Sequence, residues 1–328
     1  MKTLGPLARA FINQFQGGFP LSGRPFFEVA AKLGITEATL TQTIGELLDV
    51  GYLSRFGPLY DAARLGGGLT LAAMAVPEAR FDAVAEQVNT LPGVAHNYRR
   101  DHPLNMWFVV ATDTPAGVGE VLAEIERRTG LPVYDFPKQR EFYLGLWLQL
   151  NDDGSIDTVP VPETALSPVR PLDADDRRII AATQAGLPLV AEPYQAIAAQ
   201  LGLPGDEVLG RLQAMLASGV VRRIGAVPNH YKLGLRGNGM TVWDVPDEQL
   251  EALGARLGGI DFVSHCYQRP RHDGIWPYNL FAMVHGRDRA EVLAKTEHLA
   301  ALLGEHCRGH EVLFSSAVLK KTGLRVAA

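Results

Sequence analysis

The chain is short of cysteine: only Cys266 and Cys307 occur in 328 residues. Two isolated thiols cannot build a disulfide framework or a Cys-based zinc site, so both are expected to be free and buried. Long apolar runs are missing too. None approaches the length of a membrane span, and Met1-Lys2-Thr3 leads into a segment containing Gln and Gly rather than a signal peptide, so a cytosolic location is expected. Positive charge is also scarce, with 31 Lys and Arg against 36 Asp and Glu for a net charge of −5. That balance argues against a polyanion such as DNA as the main partner. Nothing suggests long disorder, and the 47% hydrophobic content is that of an ordinary globular chain with room for two to four domains.

What the chain does have is a repeat. Phe27 to Gly57 returns as Gln195 to Gly225, 168 residues further on, and His96-Asn97-Tyr98 returns as His265-Cys266-Tyr267. A period of that length is a duplicated module of domain size, not a solenoid unit. The segment 151–171, rich in Pro, Asp, Ser and Thr, reads as the linker between the modules.

Each module divides again. In the first, Glu28 to Leu33, a turn at Gly34, and a helix opened by Thr36 with Leu40, Ile44, Leu47 and Leu48 on one face form a helix-turn-helix pattern. A turn and short strand at Val50-Gly51-Tyr52-Leu53 make it a winged variant. The second part alternates: strand 69–76, helix 79–90, strands 94–100 and 106–112, helix 116–129 and a last strand 133–144. The order β-α-β-β-α-β is ferredoxin-like, and the second module repeats it from Met240 to Lys320. The fold class is therefore α+β, a tandem winged helix-turn-helix plus ferredoxin-like module. Its expected domains are 1–60 and 61–150, then the linker, then 172–227 and 228–328.

The helical parts look unlike DNA readers. The candidate recognition helix 36–49 has no Lys or Arg and carries Glu37, Glu46 and Asp49, while its second copy, 205–218, has only Arg211 beside Asp206 and Glu207. The chemistry gathers in the sheets instead. His265, Tyr267 and Arg269 point to one face of a strand, as do His96, Tyr98 and Arg100 in the first copy, where Arg99 adds further charge. The corner that follows holds Arg271, His272, Trp276, Tyr278 and Asn279. The first copy has a shorter corner with His102-Pro103-Leu104-Asn105, so the two sites are not expected to be equivalent.

The paired winged-helix and ferredoxin-like parts resemble the Lrp/AsnC family, in which such sheets pair face to face; the resemblance implies that the two sheets here pair within one chain. Three stretches make the resemblance more specific: His265 to Pro270, Trp276 to Leu280 followed by Met283-Val284-His285-Gly286, and Leu313-Phe314-Ser315 with Lys320-Lys321-Thr322-Gly323-Leu324. Over essentially its whole length the chain is similar to the Lrp-like siroheme decarboxylases, with a D-type first module fused to an L-type second one. That resemblance implies non-oxidative loss of carbon dioxide from the C12 and C18 acetates of siroheme in heme d1 or alternative heme biosynthesis. No cofactor is implied beyond the iron of the substrate.

For that chemistry His265, with His272 as second choice, is the expected proton donor, and Tyr267 a hydrogen-bond donor. Arg269 and Arg271 are expected to hold substrate carboxylates, because a guanidinium matches a carboxylate in two hydrogen bonds. Trp276 and Tyr278 offer flat contact to the macrocycle, with Asn279 beside them. His265 has a competing role as an axial iron ligand. His96, Tyr98, Arg99 and Arg100 form a lesser site, with Lys138 and Arg140 nearby. A DNA-binding regulator and a non-catalytic heme sensor remain as alternatives; a membrane partner is not expected, and homo-oligomers are possible.

Overall fold

A computed structural model of the chain describes residues 4–61, 63–161, 166–168 and 170–321. Thr322, Gly323 and Leu324, part of the motif above, lie outside them. The first module opens with α1 (Pro6–Phe15), α2 (Pro25–Leu33), α3 (Glu37–Val50) and strand β1 (Leu53–Tyr60). Local signals set these limits. Helix α2 stops at Gly34, whose φ of +68° is costly for any residue with a Cβ. The Thr36 hydroxyl then accepts from the Thr39 N–H at 3.1 Å and starts α3.

The chain continues through β2 (Gly68–Met74), α4 (Phe81–Asn89), β3 (Val94–Arg100), β4 (Met106–Thr112), α5 (Pro115–Thr129), β5 (Tyr134–Pro137) and β6 (Arg140–Leu144). A hairpin of β7 (Trp147–Leu150) and β8 (Ile156–Val159) leads to the second module. The segment 151–171, read above as the linker between the modules, thus contains the strand β8. The hairpin is docked on α1 by paired amides: Gln16 bonds both N–H and carbonyl of Leu148, and Asn13 does the same for Leu150.

The second module comprises α6 (Ala174–Thr183), α7 (Pro193–Leu201), α8 (Gly205–Ala217), β9 (Val221–Pro228), the short α9 (His230–Leu233), β10 (Gly237–Asp244), α10 (Leu250–Gly258), β11 (Val263–Gln268), β12 (Leu280–Gly286), α11 (Arg289–Leu303) and β13 (Gly309–Lys321). Helix α7 ends at Gly202 with the same φ of +68° as its counterpart.

Two exchanges join the modules. The expected single strand 133–144 is interrupted after Pro137: β5 pairs with β2 of its own module, while β6 crosses to pair with β11 of the other. Strand β13 does the reciprocal, its first half pairing with β10 and its second half with β3. The result is one nine-stranded run in the order β5-β2-β4-β3-β13-β10-β12-β11-β6. Its two halves also pack face to face through Trp107 and Phe136 from the first module and Trp276, Phe281 and Leu313 from the second. The two winged-helix parts are fused as well. Their wings, β1 and β9, form an antiparallel ribbon, and Phe11, Leu40 and Phe56 share one core with Ile179, Leu212 and Ile224.

Candidate functional site

Alternation along β3 and β11 turns His96, Tyr98, His265 and Tyr267 away from the helices, while Cys266 faces them in the core of the second module. His265 is half-buried. Its Nδ1 lies 2.7 Å from the Ser264 hydroxyl, which lies 2.7 Å from His285 Nε2. His285 in turn bonds Asn238 through Nδ1, and the His230 ring stands edge-on to it at 5.1 Å. Burial, then the charges of Arg222, His230 and Arg269, pull the His265 imidazole down to about 4. It is therefore neutral near pH 7. The Tyr267 phenol is pushed up by burial and stays protonated, with Lys138 Nζ 5.6 Å and Arg269 5.2 Å from its ring.

The first copy's wall is built from different neighbours. His96 is paired across the strands with Lys321, and burial followed by that ammonium pulls it to about 4. Its Nδ1 is buried with no hydrogen-bond partner. Tyr231 sits beside Lys321, 5.3 Å from ring centre to Nζ, and burial chiefly, then Tyr231, raises the Tyr98 phenol. His230 lies between the two walls, its ring 4.3 Å from Tyr231 on one side and 5.1 Å from His285 on the other, and burial followed by Lys321 pulls it down to about 4. The walls of the two copies thus adjoin. Next to Tyr231 opens a cleft of about 580 Å3 lined by Arg236, Asn238, Arg287, Arg289 and Phe314. Among the described residues no group of three or more His, Cys, Asp and Glu side chains is arranged to hold a metal ion.

Several residues singled out from the sequence are placed elsewhere. Arg271 is bound to Asp244, Asp247 and the carbonyls of Val245 and Pro277, which leaves no fork for a ligand. Asn279 is buried and ties down the same loop through the N–H and carbonyl of Val245. Trp276 is only 1% exposed, enclosed between the sheets by Trp107, Phe136 and Phe281. Tyr278 is buried too and donates to Glu311 at 2.7 Å. His272 lies against Phe136 and bonds the Asp135 carbonyl at 2.8 Å through Nε2. Arg99 points to the helix side, paired with Glu78 and stacked 4.3 Å over Phe81. All six side chains are engaged within the protein, five of them at the corner or in the inter-sheet core and Arg99 on the helix side.

The motif arginines have a mixed position. Arg269 donates to the Phe136 carbonyl on β5, and Arg100 donates to the Leu313 carbonyl on β13. Each therefore reaches from its own module to a strand of the other. In both, Nε remains buried and unpartnered, and burial lowers both guanidinium groups to about 10.

Comparison with known proteins bears on what this wall serves. A model of the AsnC-like ligand binding domain matches residues 65–143 and 232–320, and a model of the siroheme decarboxylase NirDL-like HTH domain matches 8–53 and 176–222. The siroheme decarboxylase NirDL subunit of Paracoccus denitrificans is 34% identical over 99% of this chain and 98% of its own length. The chain belongs to the siroheme decarboxylase family. As a member it is a carboxy-lyase with tandem helix-turn-helix and AsnC-like domains. The siroheme decarboxylase NirH subunit of Pseudomonas aeruginosa is 61% identical, over 46% of this chain and 88% of that protein. A crystal structure of the siroheme decarboxylase NirDL, in complex with an iron-uroporphyrin III analogue, superposes with a TM-score of 0.70 at 30% identity, covering 96% of this chain and 92% of the other.

Sequence reasoning missed Ser264, His230, Asn238, Arg222 and Tyr231 in this siroheme decarboxylase, and took His285 and Lys321 only as family markers. Arg222 stands on the wing strand β9, between Asp61 and Glu141, and acts on both His265 and Tyr267. His230-Tyr231 directly after the wing was the one legible hint. An imidazole beside a phenol at a domain junction repeats the chemistry of the strand motif. No helix among the described residues is long and apolar enough to cross a membrane.

Proposed function

We propose that this chain removes the C12 and C18 acetate carboxyl groups of siroheme as carbon dioxide, yielding didecarboxysiroheme on the route to heme d1 or in the alternative heme pathway. The observation that carries the reading is the end-to-end match to a siroheme decarboxylase NirDL subunit, both modules included. In each decarboxylation the bond between methylene carbon and carboxylate breaks, carbon dioxide leaves, and the electron pair stays on the carbon until a proton joins it. No oxidant enters the balance.

The geometry supports this assignment with an imidazole, a neutral phenol and cationic groups on adjoining walls. His265 presents its imidazole to the substrate, Tyr267 and Tyr98 offer hydrogen-bond donors, and His96 completes the opposite wall. The carboxylate grip moves from Arg271, which is tied to the corner, to groups with free donors, beside Arg269, whose Nε is unpartnered. Lys321 lines the first wall, and Arg236 at the cleft is exposed and has no side-chain partner among the described residues. A cleft of this size lies in the range of small-molecule sites. The iron belongs to the substrate, and no further cofactor is called for.

Anaerobic incubation with siroheme tests the reading: the product should be lighter by two carbon dioxide units. Unchanged siroheme beside an active control enzyme would refute it. A DNA-binding regulator finds no support, because the wings that would flank a duplex are paired with each other. Arg211, the sole cation on α8, is held by Asp173, Asp176 and Glu207.

A further inference from the structure

The duplication lets each residue of one wall be compared with its counterpart on the other, and one row of three breaks the symmetry. In the second module Ser264, His285 and Asn238 stand side by side on β11, β12 and β10. Asn238 and His285 are directly opposed, and a bulge between Val263 and His265 brings the Ser264 hydroxyl against the neighbouring imidazole. The first module has the same bulge between Val94 and His96, and the same opposed pair. There the row reads Ala95, Ala111 and Leu69, whose side chains form no hydrogen bonds.

Proton positions along the row follow from its fixed end. Asn238 donates from Nδ2 to the Leu235 carbonyl at 3.3 Å, which leaves its Oδ1 facing His285. An amide oxygen only accepts, so His285 Nδ1 carries a proton. His285 is buried, and the titratable groups acting on it, His230, His265 and Lys295, are all basic. A second proton on that ring would be an uncompensated buried cation. His285 Nε2 is therefore bare and accepts from the Ser264 hydroxyl. With its proton committed, Ser264 Oγ accepts from His265 Nδ1. His265 Nε2 is left with no proton.

We propose that Asn238, His285 and Ser264 are positioning residues that hold His265 as its Nδ1–H tautomer, so that a bare Nε2 faces the substrate and binds the siroheme iron. The iron-binding half rests on the decarboxylase reading; the tautomer does not. The competing role of His265 as proton donor is thereby set aside, since its only proton points into the protein. An outer-shell chain that fixes the tautomer and orientation of a ligating imidazole is a general device of metal sites. His96 lacks the chain, so the imidazole site is single although the module is double.

The test begins with the full chain, labelled with 15N-histidine and free of substrate, using His265→Gln to assign the signal. Wild type should show His265 protonated at Nδ1 and bare at Nε2. Ser264→Ala and Asn238→Leu, which install the first module's counterparts, should shift it to a mixture of tautomers. Wild-type His265 protonated at Nε2, or a tautomer unmoved in both variants, would overturn the relay. Iron uroporphyrin is the probe for the second half. Its spectrum with wild type should be that of an imidazole-ligated iron and should change in His265→Gln, with affinity weakened about tenfold or more in Ser264→Ala. Identical spectra for wild type and His265→Gln would overturn iron binding. Failure to release carbon dioxide from siroheme, with the relay intact by NMR, would instead count against the decarboxylase reading.

Discussion

At the scale of single residues, Arg271 separates what a side chain can do from what its surroundings leave it free to do. Its guanidinium donates to two aspartates and two carbonyls, drawing the corner 271–279 against the end of β10. Arg271→Ala would take the counter-ion from half-buried Asp244 and the donor from the Pro277 carbonyl, while exposed Asp247 and the Val245 carbonyl would keep their bonds from Asn279. A loss of about 1–3 kcal/mol is expected, because unmade bonds to half-buried groups cost more than made ones contribute. Urea denaturation should show that loss while KM for siroheme stays at the wild-type value. The reverse, an unchanged midpoint with a raised KM, would return Arg271 to the substrate. The same contrast explains how much of the site could be read in advance. The concentration of His, Arg and aromatic residues between His265 and Asn279 pointed to the strand and corner that border the proposed wall. Composition could not say which of them the inter-sheet core would absorb. Nor could it find Ser264, His230 or Asn238, which gain a role only when three strands and a short helix bring them within hydrogen-bond or ring contact of His285.

At the scale of elements, periodicity was a sufficient guide to type and order but not to partnership. The alternation of 133–144 and of 311–320 is that of a strand in both cases, and strands form there. Which neighbour each half joins depends on the opposing module, and no local pattern in one strand encodes that. The chain 151–161 is hard to read for a related reason: its polar composition hides β8, which is held by pairing with β7, the strand docked on the amides of α1. Crossing to the other module places β6 against α10, and Gly254 is where they touch. A Cβ there would run into the Phe142 ring, whereas a Cβ at Gly210, on the exposed face of α8, would meet nothing within 4 Å. Replacing a helical glycine with alanine otherwise gains about 1 kcal/mol from propensity. Overpacking a ring held on a paired strand costs about 1–3 kcal/mol. Gly210→Ala should therefore raise the melting temperature and Gly254→Ala lower it. Equal upward shifts would show that β6 is free to move off α10.

At the scale of the whole molecule, the modules cannot be regarded as two domains joined by a tether. Each lends its last strand to the other's sheet, their sheets share Trp107, Phe136 and Trp276 between them, and their winged-helix parts share one core. Removing one module would leave β3 and β11 each without one flanking strand, and would expose an aromatic face that water penalises at roughly 25 cal/mol per Å2. Covalent continuity matters little by comparison, because β6 and β13 hold the halves together without it. Cutting the chain between residues 161 and 166 and co-expressing 1–161 with 166–328 should give a single species of full-length mass on size-exclusion chromatography with light scattering. Either half expressed alone should aggregate or be degraded. Two halves that each ran as a folded, monodisperse protein would mean that the exchanged strands contribute little, and that the joint wall around His230 forms only by collision of independent parts.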